Sequence, residues 1–433
     1  MNGIGNFCKK IFVVLMSVTL ATSILGLSGC NGRTNDDTTT IIIWAFPYYD
    51  VAIMEAIRIY QETHPDVQFE VVALGHEDLV QRFRTAIATG NRDVLPNIVI
   101  DEYYRIPALI EFYREFFVDL TPYVDPSLYV DFTIQSVTID ESIWAVPYDT
   151  GVGAWFYRLD VMEAAGFTEA DLQNITWDRL IEIGEVVMEK TGFYILPLFI
   201  EGNIDGRLML HSAGSWYYDL DGNLDIEGNQ AIIDATETIK QLADSGVLFE
   251  VSDFGDIIGS FQNDITAGVI GGAWWSFIIA ENEEHFGLWR VAPPPRMSGD
   301  SRYGHYTNVA SCAWLVINKE NQEIAIDFLM STIAVDTSIS EFMASSHYTV
   351  VPALIAGGTV EAAEAGHPFF GYQPLVALMA DWSLRIPRVN FGLNSYEITY
   401  AHGLLIHEFI NGRITIDELM ELLQQQAEII EGR

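Results

Sequence analysis

The sequence predicts an α/β protein of two lobes joined by a hinge, and three observations predict it. At 433 residues the chain is long for one hydrophobic core. From residue 41 onward, short β-branched runs alternate with helical periodicities, the pattern of a mostly parallel sheet with helices on its faces. The stretch Asp140–Asp160, DESIWAVPYDTGVGAWFYRLD, reads as a turn, a short strand, a polar crossing and a second strand. Pro147 cannot donate a ladder bond and ends the first strand, while Gly151 and Gly153 let the crossing bend. A flexible crossing with aromatics on both sides fits an interlobe hinge, whereas an ordinary hairpin is the plainer alternative.

Hydrophobic residues make up 49% and charged residues 19%, which fits a packed globular chain and not a disordered one. The formal net charge of −38 repels phosphate backbones and anionic lipid surfaces, so nucleic acid is excluded as a partner. Cysteines stand only at 8, 30 and 312, too few for a disulfide framework; Cys312 reads as a small buried hydrophobe.

Residues 1–29 read as an export signal, with Lys9 and Lys10 ahead of an apolar run too short to span a membrane. The run ends in Leu27-Ser28-Gly29-Cys30, which resembles the bacterial lipobox; that resemblance implies acylation of Cys30 and a membrane-anchored protein. Residues 30–40 are a polar tether. Ile41–Phe46 is a buried strand, Val51–Thr63 a helix stopped by Pro65, Gln68–Leu74 a strand, Leu79–Thr89 a helix and Asn97–Ile100 a strand. Ligands in such sheets sit beyond the carboxyl ends of the strands, which here carry Trp44 and Phe46, Gly75-His76-Glu77, and Asp101-Glu102-Tyr103. Past the crossing, Leu159–Gly166 is a helix closed by glycine, and Thr176 caps the next helix. Asp219–Asn223 has its glycine too early for a calcium loop and reads as a hairpin turn. Ile265–Phe277 is an apolar strand running through Gly271-Gly272 into Trp274-Trp275. Ser311–Asn318 is a strand, and Thr415-x-x-Glu418 opens the last helix as a capping box.

Taken in order, several of these stretches resemble one family. They are the lipobox, Ile143–Pro147 into Trp155–Tyr157, Leu159–Gly166, Thr176–Leu180, Ala267–Trp275, Ile317–Lys319 with Ala325–Leu329, and Gly412-Arg413 before the last helix. The chain resembles the extracellular solute-binding lipoproteins of bacterial ABC importers, family 1, which includes sugar-binding proteins. Arg158, where that family has asparagine, and Asn97-Ile98 depart from its pattern. The resemblance implies a periplasmic-binding-protein-like fold, with lobe 1 from 41–147 and 268–317 and lobe 2 from 151–265 and 319–433. Crossings are then expected near Pro147–Gly151, Ile265–Gly268 and Ile317–Lys319. It further implies a monomer on the extracytoplasmic face of the bacterial membrane, held by an N-terminal lipid. That monomer would pass a solute, most readily a sugar or oligosaccharide, to ABC permease subunits, with no cofactor, metal or catalysis.

Sugars present apolar C–H faces and hydroxyl edges, so the candidate site residues are aromatics and polar groups near the expected cleft. They are Trp44, Phe46, Glu77, Glu102, Tyr148, Asp149, Trp274, Trp275, Asn308 and Trp382. Trp177 and Trp314 read as packing. A secreted carbohydrate-active enzyme is the alternative, since two carboxylates suffice for glycoside hydrolysis. Neither H-E-x-x-H nor G-x-S-x-G occurs, however, and His76-Glu77 and His407-Glu408 lack the second histidine. A structural or adhesive surface protein would not need aromatic-lipped lobes.

Overall fold

The computed structural model describes residues 39–432 apart from 201 and 346–349. The signal at 1–29, Cys30 and the tether up to residue 38 lie outside the described residues. In chain order the strands are β1 (Thr39–Ala45), β2 (Val67–Ala73), β3 (Ile98–Glu102), β4 (Thr138–Ile139), β5 (Ser142–Ile143), β6 (Val146–Pro147), β7 (Gly153–Arg158), β8 (Leu196–Leu198), β9 (Leu248–Glu250), β10 (Gly268–Gly272), β11 (Trp289–Ala292) and β12 (Cys312–Val316).

Two sheets carry the architecture. The first is ordered β2-β1-β3-β12-β6; β1 runs parallel to β2 and β3, and β12 runs antiparallel to β3 and β6. The second is β10-β7-β11, with β7 antiparallel to both neighbours. All five residues of β3, all six of β7 and all five of β12 are buried, so their apolar residues run without alternation, and the charged residues at their ends, Asp101, Glu102 and Arg158, are paired.

Local chemistry sets the elements much as the sequence indicates. Asp140 and Glu141 take positive φ of 50° and 65°, the backbone of a tight two-residue hairpin between β4 and β5. Thr176 accepts from the Arg179 N–H at 3.2 Å and starts helix Trp177–Thr191, which buries Trp177, Leu180, Ile183 and Val187. Each such side chain contributes about 1.5–3 kcal/mol relative to exposure. Thr415 and Glu418 form the reciprocal capping box. Asp219 accepts from the Asp221 and Asn223 N–H groups, so its carboxylate is spent inside the turn.

The crossings differ from expectation. Gly151 has φ +46°, and a Cβ there would lie 2.6 Å from the Val309 carbonyl oxygen, so glycine is required by close approach as well as by φ. Residues 149–153 lie beside 307–311 and 351–352: Val309 N–H donates to Gly151 O at 2.7 Å, Gly153 N–H to Thr307 O at 2.8 Å, and Thr150 N–H to Val351 O at 2.9 Å. The expected crossing at Ile265–Gly268 instead feeds β10, which pairs with β7. The block 268–317 is therefore split, with β10 and β11 in the second sheet and β12 in the first. At the other end, 319–345 stays with the first sheet: Lys319 Nζ donates to Leu95 O, and Tyr60 Oη to Asp327 Oδ2, each at 2.8 Å. The reason is physical. An apolar strand states that it is buried, but its hydrogen-bond partner is chosen by the rest of the fold.

Candidate functional site

The carboxyl ends of β1 and β3, with the start of helix His76–Ala88, build one wall. Asp101, Glu102 and Arg105 are 4%, 5% and 7% exposed. Arg105 Nε donates to Asp101 Oδ1 at 2.7 Å, and its guanidinium also pairs with Glu102 at 3.1 Å. Glu102 Oε2 further accepts from Tyr104 Oη at 2.6 Å and faces His76 Nε2 at 2.8 Å. Burial alone would raise the Glu102 carboxyl, but Arg105 and His76 outweigh it and hold it at about 2. Burial and the Arg105 guanidinium, whose Nη1 is 2.9 Å from Nε2, push His76 down, yet Glu102 wins and the imidazole is raised. Phe46 stacks on the His76 ring at 5.1 Å.

Asp149, in the crossing, is 4% exposed and lines a small pocket with Tyr48, Tyr49 and Trp274. Its Oδ2 accepts from Tyr49 Oη at 2.8 Å, its Oδ1 from the Cys312 N–H at 2.7 Å, and its carbonyl from Tyr103 Oη at 2.8 Å. Burial dominates here, pushing the carboxyl up to about 7 against the pull of those two donors.

The opposite wall comes from the second-sheet side: Phe199, Arg207 of helix Ile204–Ser212, Phe254, Trp274, and Tyr396, Thr399 and Tyr400 of helix Ser395–Ile410. With His76, Glu102 and Tyr104 they enclose a cavity of about 260 Å³. Tyr104 and Tyr396 lie parallel, 7° apart with centroids at 6.3 Å, and the Arg207 guanidinium is 5.8 Å from the Tyr104 ring. A larger cavity of about 920 Å³ lies elsewhere, walled by Phe286, Phe342, Phe369, Leu375 and Val376. It lacks the strand-end residues, and its described walls offer few groups that could orient a polar ligand.

Of the residues singled out from sequence, Glu102 and Trp274 meet in this cavity, and Asp149 lies just beyond Trp274 in a small adjoining pocket with Tyr48 and Tyr49. The others stand apart from it. Trp44 is buried with Arg82 over its ring at 4.3 Å. Phe46 backs His76. Tyr148 is buried edge-on to Trp314. Asn308 clamps the crossing, its Nδ2 donating to Thr150 O at 2.6 Å. Trp382 is buried within helix Leu375–Ser383. Trp275 is 2% exposed and stacks on Phe254 at 5.0 Å with its edge partner Phe261 at 5.4 Å, all on the second-sheet side. The space opened by Gly271 and Gly272 is filled by the two indoles themselves, since a Cβ on either glycine would collide with one of them. Glu77 begins the helix after β2, and its side chain lies outside the described residues. Arg385 and Arg388 are engaged with protein groups: Arg385 with Tyr306 and Asp381, and Arg388 with Asp131 at 2.7 Å.

The sequence reading missed His76, Tyr104, Arg207, Tyr396 and Tyr400 as cavity residues. His76 and Tyr104 follow strand ends and could have been found by that rule. Nothing in the sequence brings helices 204–212 and 395–410 to the same place. Among the described residues no cluster of three or more His, Cys, Asp or Glu side chains is arranged to hold a metal, and no helix is long and apolar enough to cross a membrane.

Comparison with known proteins places this geometry among binding proteins. A family model for bacterial extracellular solute-binding proteins matches residues 55–364. The lactose-binding protein of Rhizobium radiobacter is 32% identical over 392 residues, 89% of this chain and 92% of that protein. The solved GacH receptor of Streptomyces glaucescens superposes with a TM-score of 0.72 at 16% identity, covering 90% of this chain and 98% of the receptor. An ABC transporter binding protein from B. animalis subsp. lactis Bl-04, solved with β-1,6-galactobiose, gives 0.71 at 18% identity, covering 90% and 96%. The fold is that of two α/β lobes joined by a hinge, as the sequence predicts.

Proposed function

This chain belongs to the bacterial extracellular solute-binding protein family, and from that premise we propose that it captures a short saccharide and delivers it to an ABC importer. One observation carries the ligand class: a half-buried indole, Trp274, lines the same 260 Å³ cavity as an ionised carboxylate, Glu102, among the tyrosines 104, 396 and 400. An aromatic face suits the C–H side of a pyranose, adding about 1 kcal/mol beyond burial, and a charged hydrogen bond to a hydroxyl adds roughly 1.5–3 kcal/mol. The name of the Rhizobium relative supports the same class. The family is one of binding proteins, which supports binding over hydrolysis.

In this reading the two lobes close on the sugar about the strands at 149–153 and 307–311. The protein works as a monomer at the outer face of the membrane, tethered through a lipid on Cys30; replacing Cys30 with alanine should move it out of the membrane fraction. A thermal-shift screen with lactose, β-1,6-galactobiose and a dipeptide control tests the ligand class. A true ligand at a hundredfold excess over its Kd stabilises the fold by about 2.7 kcal/mol. Stabilisation by the dipeptide and by neither sugar would overturn the saccharide reading.

A further inference from the structure

The charged groups around the cavity are of two kinds. Arg105 is paired with Asp101 and Glu102, and Glu102 is completed by His76 and Tyr104. Arg207 has no such arrangement. Its Nε is buried and donates to nothing, and among the described residues no carboxylate pairs with its guanidinium. The side chain is held in place from behind. Helix Ile204–Ser212 follows Asn203, which has a left-handed φ of 44°, and the Asn203 Nδ2 lies 3.3 Å from both Tyr217 Oη and His402 Nδ1. His402 is fully buried and its other ring nitrogen meets Thr236 Oγ1 at 3.0 Å. The chain thus fixes the start of the helix while leaving the guanidinium it carries without an acceptor.

A cavity-lining guanidinium that no carboxylate among the described residues pairs is explained if its acceptor arrives with a ligand. Glu102 is not that acceptor: its Oε2 is engaged by Arg105, Tyr104 and His76, and it makes no ion pair with Arg207. We propose that Arg207 is a specificity-determining residue of the site, donating its planar pair of N–H groups to two neighbouring oxygens of a neutral saccharide, a reading that rests on the saccharide function above. A guanidinium presents a rigid fork that two adjacent oxygens satisfy and one does not. The carboxylate of Glu102 in the same cavity disfavours an acidic sugar. Arg207 also reaches from the second-sheet side to the face of Tyr104 on the first-sheet side, so a ligand held by it is gripped from both.

Two measurements on the full chain test this. The first needs no ligand: the melting temperature of Arg207→Met should stay within about 2 °C of wild type, because only the contact with the Tyr104 face is lost. A fall of more than about 2 °C would assign Arg207 a structural role and overturn the proposal. The second is titration calorimetry of wild type, Arg207→Met and Arg207→Lys with lactose and with β-1,6-galactobiose. For each sugar that wild type binds, Met should weaken affinity by about tenfold or more, and Lys should recover only part of it. Equal affinity in wild type and Met overturns the assignment. If wild type binds neither sugar, the saccharide reading falls, and the melt alone decides whether Arg207 is held for a ligand.

Discussion

On the first-sheet wall of the cavity, Glu102 is engaged by three groups, and Arg105 is paired with two carboxylates. On the second-sheet wall, the Arg207 Nε and the Trp274 Nε1 are both buried without a hydrogen-bond partner. On the first wall the buried Arg105 Nη2, which makes no hydrogen bond, is still ion-paired with Asp101, whereas among the described residues no carboxylate pairs with Arg207 on the second. Completed networks are rigid, because each member fixes the next and removing one strands its neighbours. A buried donor without an acceptor costs stability in the empty protein, and a ligand oxygen that reaches it on closure recovers that cost. Under the proposed function the walls have separate tasks: the first sets the shape of the cavity, and the second discriminates what enters.

The sharpest way to break this comparison is Arg105→Ala. It leaves Asp101 buried without its cation and Glu102 with only His76 and Tyr104, and should destabilise the fold by roughly 3–5 kcal/mol in a urea titration. A loss under about 1 kcal/mol would mean the first wall is not a completed network. A smaller effect is expected on the other side. Trp274→Ala should weaken saccharide binding by about tenfold, with little change in melting temperature. Trp275→Ala is its control: this neighbour is packed on Phe254 and Phe261, so truncation should cost ~3–5 kcal/mol of stability. If the two variants behave alike, the cavity wall has been drawn in the wrong place.

The smallest expected effect concerns Asp149, where the first-sheet side departs from its own pattern. Its carboxyl is pushed up to about 7 from 3.8 by burial. A folded value above the unfolded one means that the group's contribution to stability is fully present below about pH 4 and is lost as pH rises through about 7. Asp149→Asn keeps an acceptor for the Cys312 N–H and removes the titration, so it should flatten the decline in melting temperature between pH 4 and 7. An unchanged slope would locate that decline in other groups.

The first sheet was largely legible because parallel strands announce themselves as continuous β-branched runs, and their ends point to Glu102 and the hinge to Asp149. Two things were not. Trp274 and Trp275 are adjacent in an apolar sequence, and which indole faces the cavity depends on how each fits over Gly271 and Gly272, which neighbouring letters do not encode. Arg207, Tyr396 and Tyr400 sit on helices nearly two hundred residues apart in sequence, and they meet only because both helices pack on the second-sheet side. Helical periodicity marks the buried face of each helix. It says nothing of what stands opposite the other face, and a binding site is made of those opposite faces.

The unequal burial of the tryptophans has an optical consequence. All ten lie among the described residues; nine are buried, and Trp274 alone is half-buried, with its ring on the cavity. Indole emission depends on the polarity of its surroundings, so nine of these chromophores form a steady background that a cavity ligand does not touch. In the proposed site Trp274 is then a built-in fluorophore on the cavity wall, whose emission should shift on occupancy without any label.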